Sequence, residues 1–339
     1  MKMTFFAALL ALQLAGLPVC SAADVVSGSP SASLSAGGNS FRPVISADGA
    51  RVVFMSHANN LVTNDNGREW LDLFVRDQVA SNTVLVSVTT SGVGGGNGNS
   101  FAATVSSNGQ FIAFVSEASD LINGDTNGAS DVFVRDVMAG TTRLVSTDTS
   151  GNSPADERFA FYAFIPLSNN PMLSADGRWV FFESRARTLT LLPDANDAVD
   201  VFARDLQSNV TVLVSRRYEP EAANAGSELA GITPDGKRVV FISKATNMVL
   251  GARNPLGDIY VRDMLSNVTY WASGSLGYSN GYRCVNAALS ESGRYVAFTV
   301  VPTDGPSAVY RRDLDTYTTV PIGMNVWARA TPQISAHRR

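Results

Sequence analysis

The chain of 339 residues is 45% hydrophobic, has a formal net charge of −4 and contains two cysteines. The hydrophobic content is sufficient for a packed globular core. The mildly acidic balance argues against nucleic acid as a partner, because binding to phosphates requires a basic stripe.

The N-terminus is predicted to be a secretory signal. Lys2 precedes an apolar stretch from Phe5 to Val19, and the small residues Ser21-Ala22-Ala23 follow it. This stretch is too short to span a bilayer permanently. We therefore predict that residues 1–23 are a signal peptide, that the mature protein is secreted or periplasmic, and that it has no integral membrane segment. Cleavage removes Cys20, so Cys284 has no partner for an internal disulfide.

Residues 24–339 are predicted to form one domain built from a repeated β-type unit. Each unit begins with an apolar segment that ends in a turn containing glycine. The turns are Ser46–Gly49, Ser106–Gly109, Ser174–Gly177, Thr233–Gly236 and Ser290–Gly293. Asp-Gly and Asn-Gly between apolar runs predict hairpins, because both residues of such a pair tolerate positive φ.

Three more strand-length segments follow the turn in each unit. The third carries a signature of aromatic residue, variable residue, Arg and Asp. The signatures are Phe74–Asp77, Phe133–Asp136, Phe202–Asp205, Tyr260–Asp263 and Tyr310–Asp313. The repeats cover approximately residues 41–100, 101–168, 169–227, 228–284 and 285–330. Four antiparallel strands per unit, repeated at this period, predict an all-β propeller.

These motifs resemble the TolB-type, WD40-like (PD40) β-propeller repeat of bacterial exported proteins. The resemblance rests on the S-x-D-G turn, the V-x-F strand and the D-x-F-V-R-D strand, and it covers about residues 24–336. It implies the propeller fold, and it implies protein–protein interaction in the cell envelope. The fifth repeat departs from the pattern, since it has Ala308 in place of the first Asp and Arg311 in place of the variable apolar residue.

The number of blades is left open by the two ends of the domain. Val25-Val26-Ser27 resembles a fourth strand, and Gln333-Ile334-Ser335-Ala336 resembles a first strand. One hypothesis is a truncated sixth blade, whose fourth strand comes from the N-terminal end of the chain and whose first strand comes from the C-terminal end. The alternative is a ring of five blades with two additional strands.

The loops between the second and third strands are candidates for binding calcium. The candidate ligands in the second and third repeats are Asp125, Asn127, Asp131, Asp194, Asn196 and Asp200. Oxygen ligands at alternating positions near a glycine suit a hard cation, although the spacing is shorter than that of a full calcium loop. The alternative is that these Asp and Asn side chains cap their own backbone turns. Calcium is the only cofactor that the sequence suggests.

The recurring Arg of the signature is interpreted as structural, through ion pairs or backbone hydrogen bonds, because catalysis does not require five copies of one group. The chain has two histidines, and neither is placed by the repeat pattern where catalysis would be expected. His57 occupies a variable surface position, and His337 lies in the C-terminal tail. There is no G-x-S-x-G motif.

Two insertions interrupt the repeat and carry aromatic residues. They are the stretch from Pro154 to Asn170 and the loop around Tyr278, Tyr282 and Arg283. Aromatic and Arg side chains on loops are typical of protein or carbohydrate contacts, although packing over a neighbouring blade is an equal alternative. The sequence therefore favours an exported, non-catalytic scaffold that binds a protein or a carbohydrate. The alternatives are a propeller hydrolase acting on glycan or peptide, and a gene fragment without a present role.

Overall fold

The computed structural model describes residues 26, 37–65, 69–154, 168–192, 196–217, 222–252, 254–274, 276 and 281–323. These residues form twenty β-strands in five four-stranded antiparallel sheets. In every sheet the strands pair in chain order, so each sheet is a meander. The predicted all-β fold class is therefore confirmed.

The strands follow the repeats of the sequence. The first sheet consists of β1 (Ser40–Ile45), β2 (Arg51–Ser56), β3 (Asp72–Asp77) and β4 (Asn82–Leu85). The second consists of β5 (Ser100–Val105), β6 (Phe111–Ser116), β7 (Asp131–Asp136) and β8 (Thr141–Leu144). The third consists of β9 (Ser168–Leu173), β10 (Trp179–Ser184), β11 (Asp200–Asp205) and β12 (Val210–Leu213). The fourth consists of β13 (Ser227–Ile232), β14 (Arg238–Ser243), β15 (Asp258–Asp263) and β16 (Val268–Trp271). The fifth consists of β17 (Tyr282–Leu289), β18 (Tyr295–Pro302), β19 (Ala308–Asp313) and β20 (Thr318–Gly323).

The turn between the first two strands is held by side-chain hydrogen bonds, and this pattern recurs along the chain. In the first sheet the Ser46 hydroxyl donates to Asp48 Oδ1 at 2.5 Å, and the Ala50 N–H donates to the same oxygen. Gly49 adopts a φ of 71°, whereas Asp48 is not among the residues with positive φ. The hairpins were predicted correctly, but the reason was partly wrong. Only the glycine has positive φ, and the Asp is selected because its carboxylate accepts hydrogen bonds from the turn.

The first strand of every sheet contains a register shift against the second strand. In β1 the shift falls between Phe41 and Val44, and Arg42 has a φ of 45°. Ala102 in β5 has a φ of 53° at the corresponding bulge. A bulge increases the local twist of a strand, so the first strand of each sheet is twisted more strongly than a regular strand.

The core lies between sheets that are consecutive in the chain. Four clusters of buried side chains join the first sheet to the second, the second to the third, the third to the fourth and the fourth to the fifth. Each second strand contributes an aromatic ring that stacks on the ring of the signature strand, for example Phe114 on Phe133 at 5.8 Å between centroids. The turns also join neighbouring sheets, since the Ser107 N–H donates to the Ala175 carbonyl and the Ala175 N–H donates to the Pro234 carbonyl.

The two ends of the array differ. The face of the first sheet that is turned away from the second sheet has its own cluster, in which Phe54 and Phe74 are buried and against which Val26 packs. On the fifth sheet, Val309 and Val320 are 39% and 41% exposed. Arg311 is exposed on this sheet, which explains why a charged residue is tolerated at a position that is buried and apolar in the other sheets. The predicted extra strands at 25–27 and 333–336 lie outside the described residues, apart from Val26.

Candidate functional site

A buried hydrogen-bond network recurs at one end of the first four sheets. The first Asp of each signature strand accepts a hydrogen bond, at 2.6 to 2.7 Å, from the Ser that follows the fourth strand. The pairs are Asp72 with Ser87, Asp131 with Ser146, Asp200 with Ser215 and Asp258 with Ser273. In each case the Ser oxygen also accepts the backbone N–H of the residue after the Asp. The Ser therefore connects the outermost strand to the signature strand inside the core.

The predicted calcium ligands of the second repeat belong to this network. Asn127 donates from Nδ2 to Asp131 Oδ2 at 2.8 Å, and its carbonyl oxygen accepts the Ala129 N–H. Asp125 is buried nearby. Desolvation raises the pKa of Asp131 to about 7, and the negative charge of Asp125 adds to this rise. Desolvation also raises the pKa of Asp125. The two carboxylates are thus held together against their mutual repulsion.

In the third repeat Asn196 has the same role as Asn127. Its Nδ2 donates to Asp200 Oδ2 at 2.7 Å and to the Ala223 carbonyl at 2.8 Å. Asp194 lies outside the described residues. Within the described part of the chain there is no group of three or more His, Cys, Asp or Glu side chains arranged to hold a metal ion. Calcium binding at these residues stays a prediction.

The five signature arginines bind a threonine rather than a carboxylate. Each donates from Nη1 to the Oγ1 of a Thr across the neighbouring fourth strand, at 2.9 to 3.5 Å. The pairs are Arg76 with Thr83, Arg135 with Thr142, Arg204 with Thr211, Arg262 with Thr269 and Arg312 with Thr319. The structural interpretation of these arginines was right, but the expected partners were wrong. The partner is the hydroxyl that the cross-strand register places opposite each Arg.

The Asp that ends each signature strand has a different task. Asp205 accepts from Arg178 at the start of β10, at 2.7 Å, and from the Gln207 N–H in the following turn. These donors lower the pKa of Asp205 below its ordinary value, with the Arg178 hydrogen bond as the largest cause. Similar pairs join Arg51 to Asp77, Arg238 to Asp263 and Arg294 to Asp313. The Asp at the end of the signature strand therefore connects this strand to the arginine at or next to the second strand and to the turn that follows.

Within the second aromatic insertion, Tyr282 does not lie on an exposed binding loop. This residue is buried in β17, and its hydroxyl donates to Asp258 Oδ1 at 3.0 Å. Burial and the Asp258 carboxylate raise the pKa of the neighbouring Cys284 thiol to about 12, so the thiol stays protonated. Arg283 is exposed, and His57 is exposed as predicted, with its ring edge-on to Phe41. Tyr278, His337 and the aromatic residues at 159–164 lie outside the described residues.

A cleft of about 740 Å³ lies along the outermost strand of the third sheet, β12. One wall is the loop at 147–151 that follows the second sheet, and the opposite wall is the outer hairpin of the fourth sheet around Met264 and Asn267. Leu191, Leu192 and Val210 supply accessible apolar surface. Arg204, Arg216 and Arg262 supply positive charge.

The sequence interpretation placed binding on the aromatic insertions and missed this cleft. Arg204 and Arg262 were recognised only as structural copies of the signature. Arg216 was not singled out, although the sequence carries a signal for it. The residue after the conserved Ser is Val88, Thr147 and Gly274 in other repeats, and only in the third repeat is it an arginine.

Comparison with known proteins gives the fold but no family assignment. No family model and no curated protein matches the chain. TolB from Acinetobacter baumannii is similar in structure, with 13% identity and a TM-score of 0.41, over 85% of this chain and 56% of that one. A protein assigned as a TolB from Agrobacterium tumefaciens has 15% identity and a TM-score of 0.44, over 85% and 82%. An oligogalacturonate lyase solved with manganese has 11% identity and a TM-score of 0.48, over 83% and 64%.

Two of these three structures are TolB proteins. The chain spans just over half the length of the first of them. The five four-stranded antiparallel sheets of the described residues define an all-β propeller. At these identities the likeness concerns the fold and transfers no activity. In the described part of the chain there is no helix long and apolar enough to cross a membrane.

Proposed function

We propose that the protein is an exported, non-catalytic scaffold that binds a protein or carbohydrate ligand in the cleft along β12. The observation that carries this proposal is the cleft itself, which is lined by the third and fourth sheets with their loops and by the loop that follows the second sheet. Rigid sheets that present loops and edge strands around a concavity are a common basis for ligand binding. The recurring polar residues support a non-catalytic role, because most of their hydrogen-bonding groups are used to join strands.

Binding is tested with the full chain on peptide and glycan libraries, followed by isothermal titration of each hit. The test variant is Val210→Glu, because Val210 lines the cleft and is 52% exposed. The matched control is Val268→Glu, at the equivalent position of β16, which is 43% exposed and outside the cleft. We expect Val210→Glu to abolish binding and Val268→Glu to preserve it. Hits that are unaffected by Val210→Glu would place the ligand elsewhere.

The alternative, a hydrolase acting on glycan or peptide, is decided in the same experiment. Each bound glycan or peptide is incubated with the wild-type chain and analysed by mass spectrometry. Intact ligand after prolonged incubation is the expected result. Shortened products that disappear with the Val210→Glu variant would establish a hydrolase in the cleft.

Export rests on the N-terminal pattern and is tested by expressing the full chain in a bacterial host. We expect a periplasmic or secreted product whose mass lacks residues 1–23. A product that keeps these residues and stays in the cytoplasm would contradict the proposal. The result does not depend on whether a ligand has been found.

Calcium binding at the second repeat is a second proposal, supported by the buried carboxylates of Asp125 and Asp131. A divalent cation between the two carboxylates would offset their mutual repulsion, which adds to the desolvation that raises the pKa of Asp131. Added calcium is expected to raise the melting temperature, and a chelator is expected to lower it. Asp125→Asn should remove this response, whereas Asp176→Asn, in a surface turn, should retain it. A wild-type melting temperature that responds to neither reagent would contradict the proposal.

A further inference from the structure

The cleft along β12 concentrates positive charge on a chain whose net charge is negative. Three arginines and one carboxylate, that of Asp148, line it. The Asp148 carboxylate accepts the N–H groups of Ser150 and Asn152 in its own loop. The charge that faces the open volume is therefore predominantly that of the guanidinium groups.

Two of these arginines share one neutral acceptor. Arg262 donates from Nη2 to Asn267 Oδ1 at 3.0 Å, and Arg216 donates to the same oxygen at 3.2 Å. Arg262 is only 3% exposed, and its other recorded partner is the Thr269 hydroxyl. Desolvation and the positive charge of Arg216 lower the pKa of Arg262 to about 10. The Asp263 carboxylate acts in the opposite direction on Arg262 but does not outweigh these two effects. Two guanidinium groups that share one amide oxygen therefore leave an excess of positive charge at this point.

The shared Asn267 acceptor distinguishes this pair of arginines from the one at the preceding interface, where the charge of Arg143 acts on Arg204 but Arg143 donates to the Leu206 carbonyl. At the preceding and following interfaces the position of Arg216 is occupied by Val88, Thr147 or Gly274. Arg135 in the second sheet therefore makes the same Arg–Thr hydrogen bond without a second arginine beside it. The repeat architecture does not require Arg216, since the other interfaces pack without it.

We propose that the cleft binds an anionic group, a carboxylate, sulfate or phosphate, between Arg216 and Arg262, with an attached apolar segment against the leucine side chains of the same cleft. The inference rests on the proposed function and names the chemical class of its ligand. A planar or tetrahedral oxyanion accepts hydrogen bonds from two guanidinium groups at once. Leu191 and Leu192, with Val210, line the same cavity and are accessible enough to supply the apolar contact.

The test is isothermal titration of the full chain with octanoate, octyl sulfate, octyl phosphate and octyl glucoside, each below its micelle concentration. We expect the three anions to bind in low salt and the neutral glucoside to bind at least tenfold more weakly. The relative affinities of the three anions identify which oxyanion the site prefers. Arg216→Gln should weaken the binding of the preferred anion at least tenfold, while Arg217→Gln, the control at the next residue with similar burial and outside the cleft lining, should leave it unchanged.

Arg216 is the main test residue because it is partly exposed, whereas replacement of the buried Arg262 perturbs the core. Circular dichroism and the melting temperature of Arg216→Gln establish that it is folded. Equal affinity of wild type and Arg216→Gln, or no binding of any anion, would overturn the inference. Glucoside binding as tight as octanoate binding, sensitive to Val210→Glu, would also overturn it but would leave the cleft as the binding site of the proposed function.

Discussion

Replacing Ser215 with alanine removes the hydroxyl that links β12 to β11 inside the core. That hydroxyl donates to Asp200 Oδ1 at 2.6 Å and accepts the Val201 N–H at 2.9 Å. Asp200 is completely buried, so water does not replace the lost donor. A hydrogen bond to a charged group contributes about 1.5–3 kcal/mol, and the N–H left without this acceptor adds roughly 1 kcal/mol. We therefore expect the free energy of unfolding to fall by about 3 kcal/mol.

For a domain of this size, 1 kcal/mol corresponds to about 2–4 °C, so the melting temperature of Ser215→Ala should fall by roughly 6–12 °C. Urea unfolding followed by circular dichroism measures the free energy directly. The control is Ser208→Ala, whose hydroxyl bonds Asp205 in the exposed hairpin and whose loss should change the stability by less than about 0.5 kcal/mol. If the two variants unfold at the same urea concentration, the buried Asp–Ser pair does not stabilise the sheet as inferred.

Three further predictions concern single positions. Gly95→Ala should destabilise the protein by about 1–3 kcal/mol in urea unfolding, because its Cβ would lie 2.2 Å from Asp72 Oδ2, and wild-type stability would contradict this packing. The raised pKa of Asp131, about 7, adds stability below the ordinary carboxyl pKa that is lost as the pH rises through 7. Unfolding at pH 5 and pH 8 should therefore show a larger decrease for wild type than for Asp131→Asn, and equal decreases would refute the assignment. Arg178→Gln removes the ion pair between a half-exposed guanidinium and the buried Asp205 carboxylate, which keeps the Gln207 N–H and the Ser208 hydroxyl as donors. Its melting temperature should therefore fall by less than that of Ser215→Ala, and an equal fall would contradict this.

The fifth sheet is a natural variant of the buried Asp–Ser pair. Ala308 replaces the Asp, and Gly323, which pairs with Val309, occupies the place of the Ser. Both polar partners are absent together. This is the expected pattern, because either group alone would leave a buried polar atom without its partner. The same reasoning predicts that the double change of Asp200 and Ser215 to alanine costs less than the sum of the two single changes.

Much of this fold could be predicted from the sequence because its information is local and repeated. The alternation of turn, β-branched run and signature strand specifies four strands, and five copies specify five sheets. Residues such as Phe114 and Phe133 were recognisable as strand residues for this reason. Their stacking could not be read directly, because it depends on the cross-strand register.

The candidate site could not be predicted from the sequence pattern. Arg216 and Arg262 are 46 positions apart in the numbering and belong to different repeats. They become neighbours only because the linker after β12 lies beside the outer hairpin of the fourth sheet. Likewise, Asp131 and Asn127 have the composition of a cation-binding loop, and only the fold shows that the amide of Asn127 donates to the carboxylate.

The sequence alone determined which segments are strands, where the turns fall and that the units repeat, since these properties depend on side chains close together in the chain. The tertiary structure decided which polar groups are buried, which charges meet and where a cleft opens. These properties depend on contacts between one repeat and the next, and a repeated motif does not distinguish its copies until they are packed side by side.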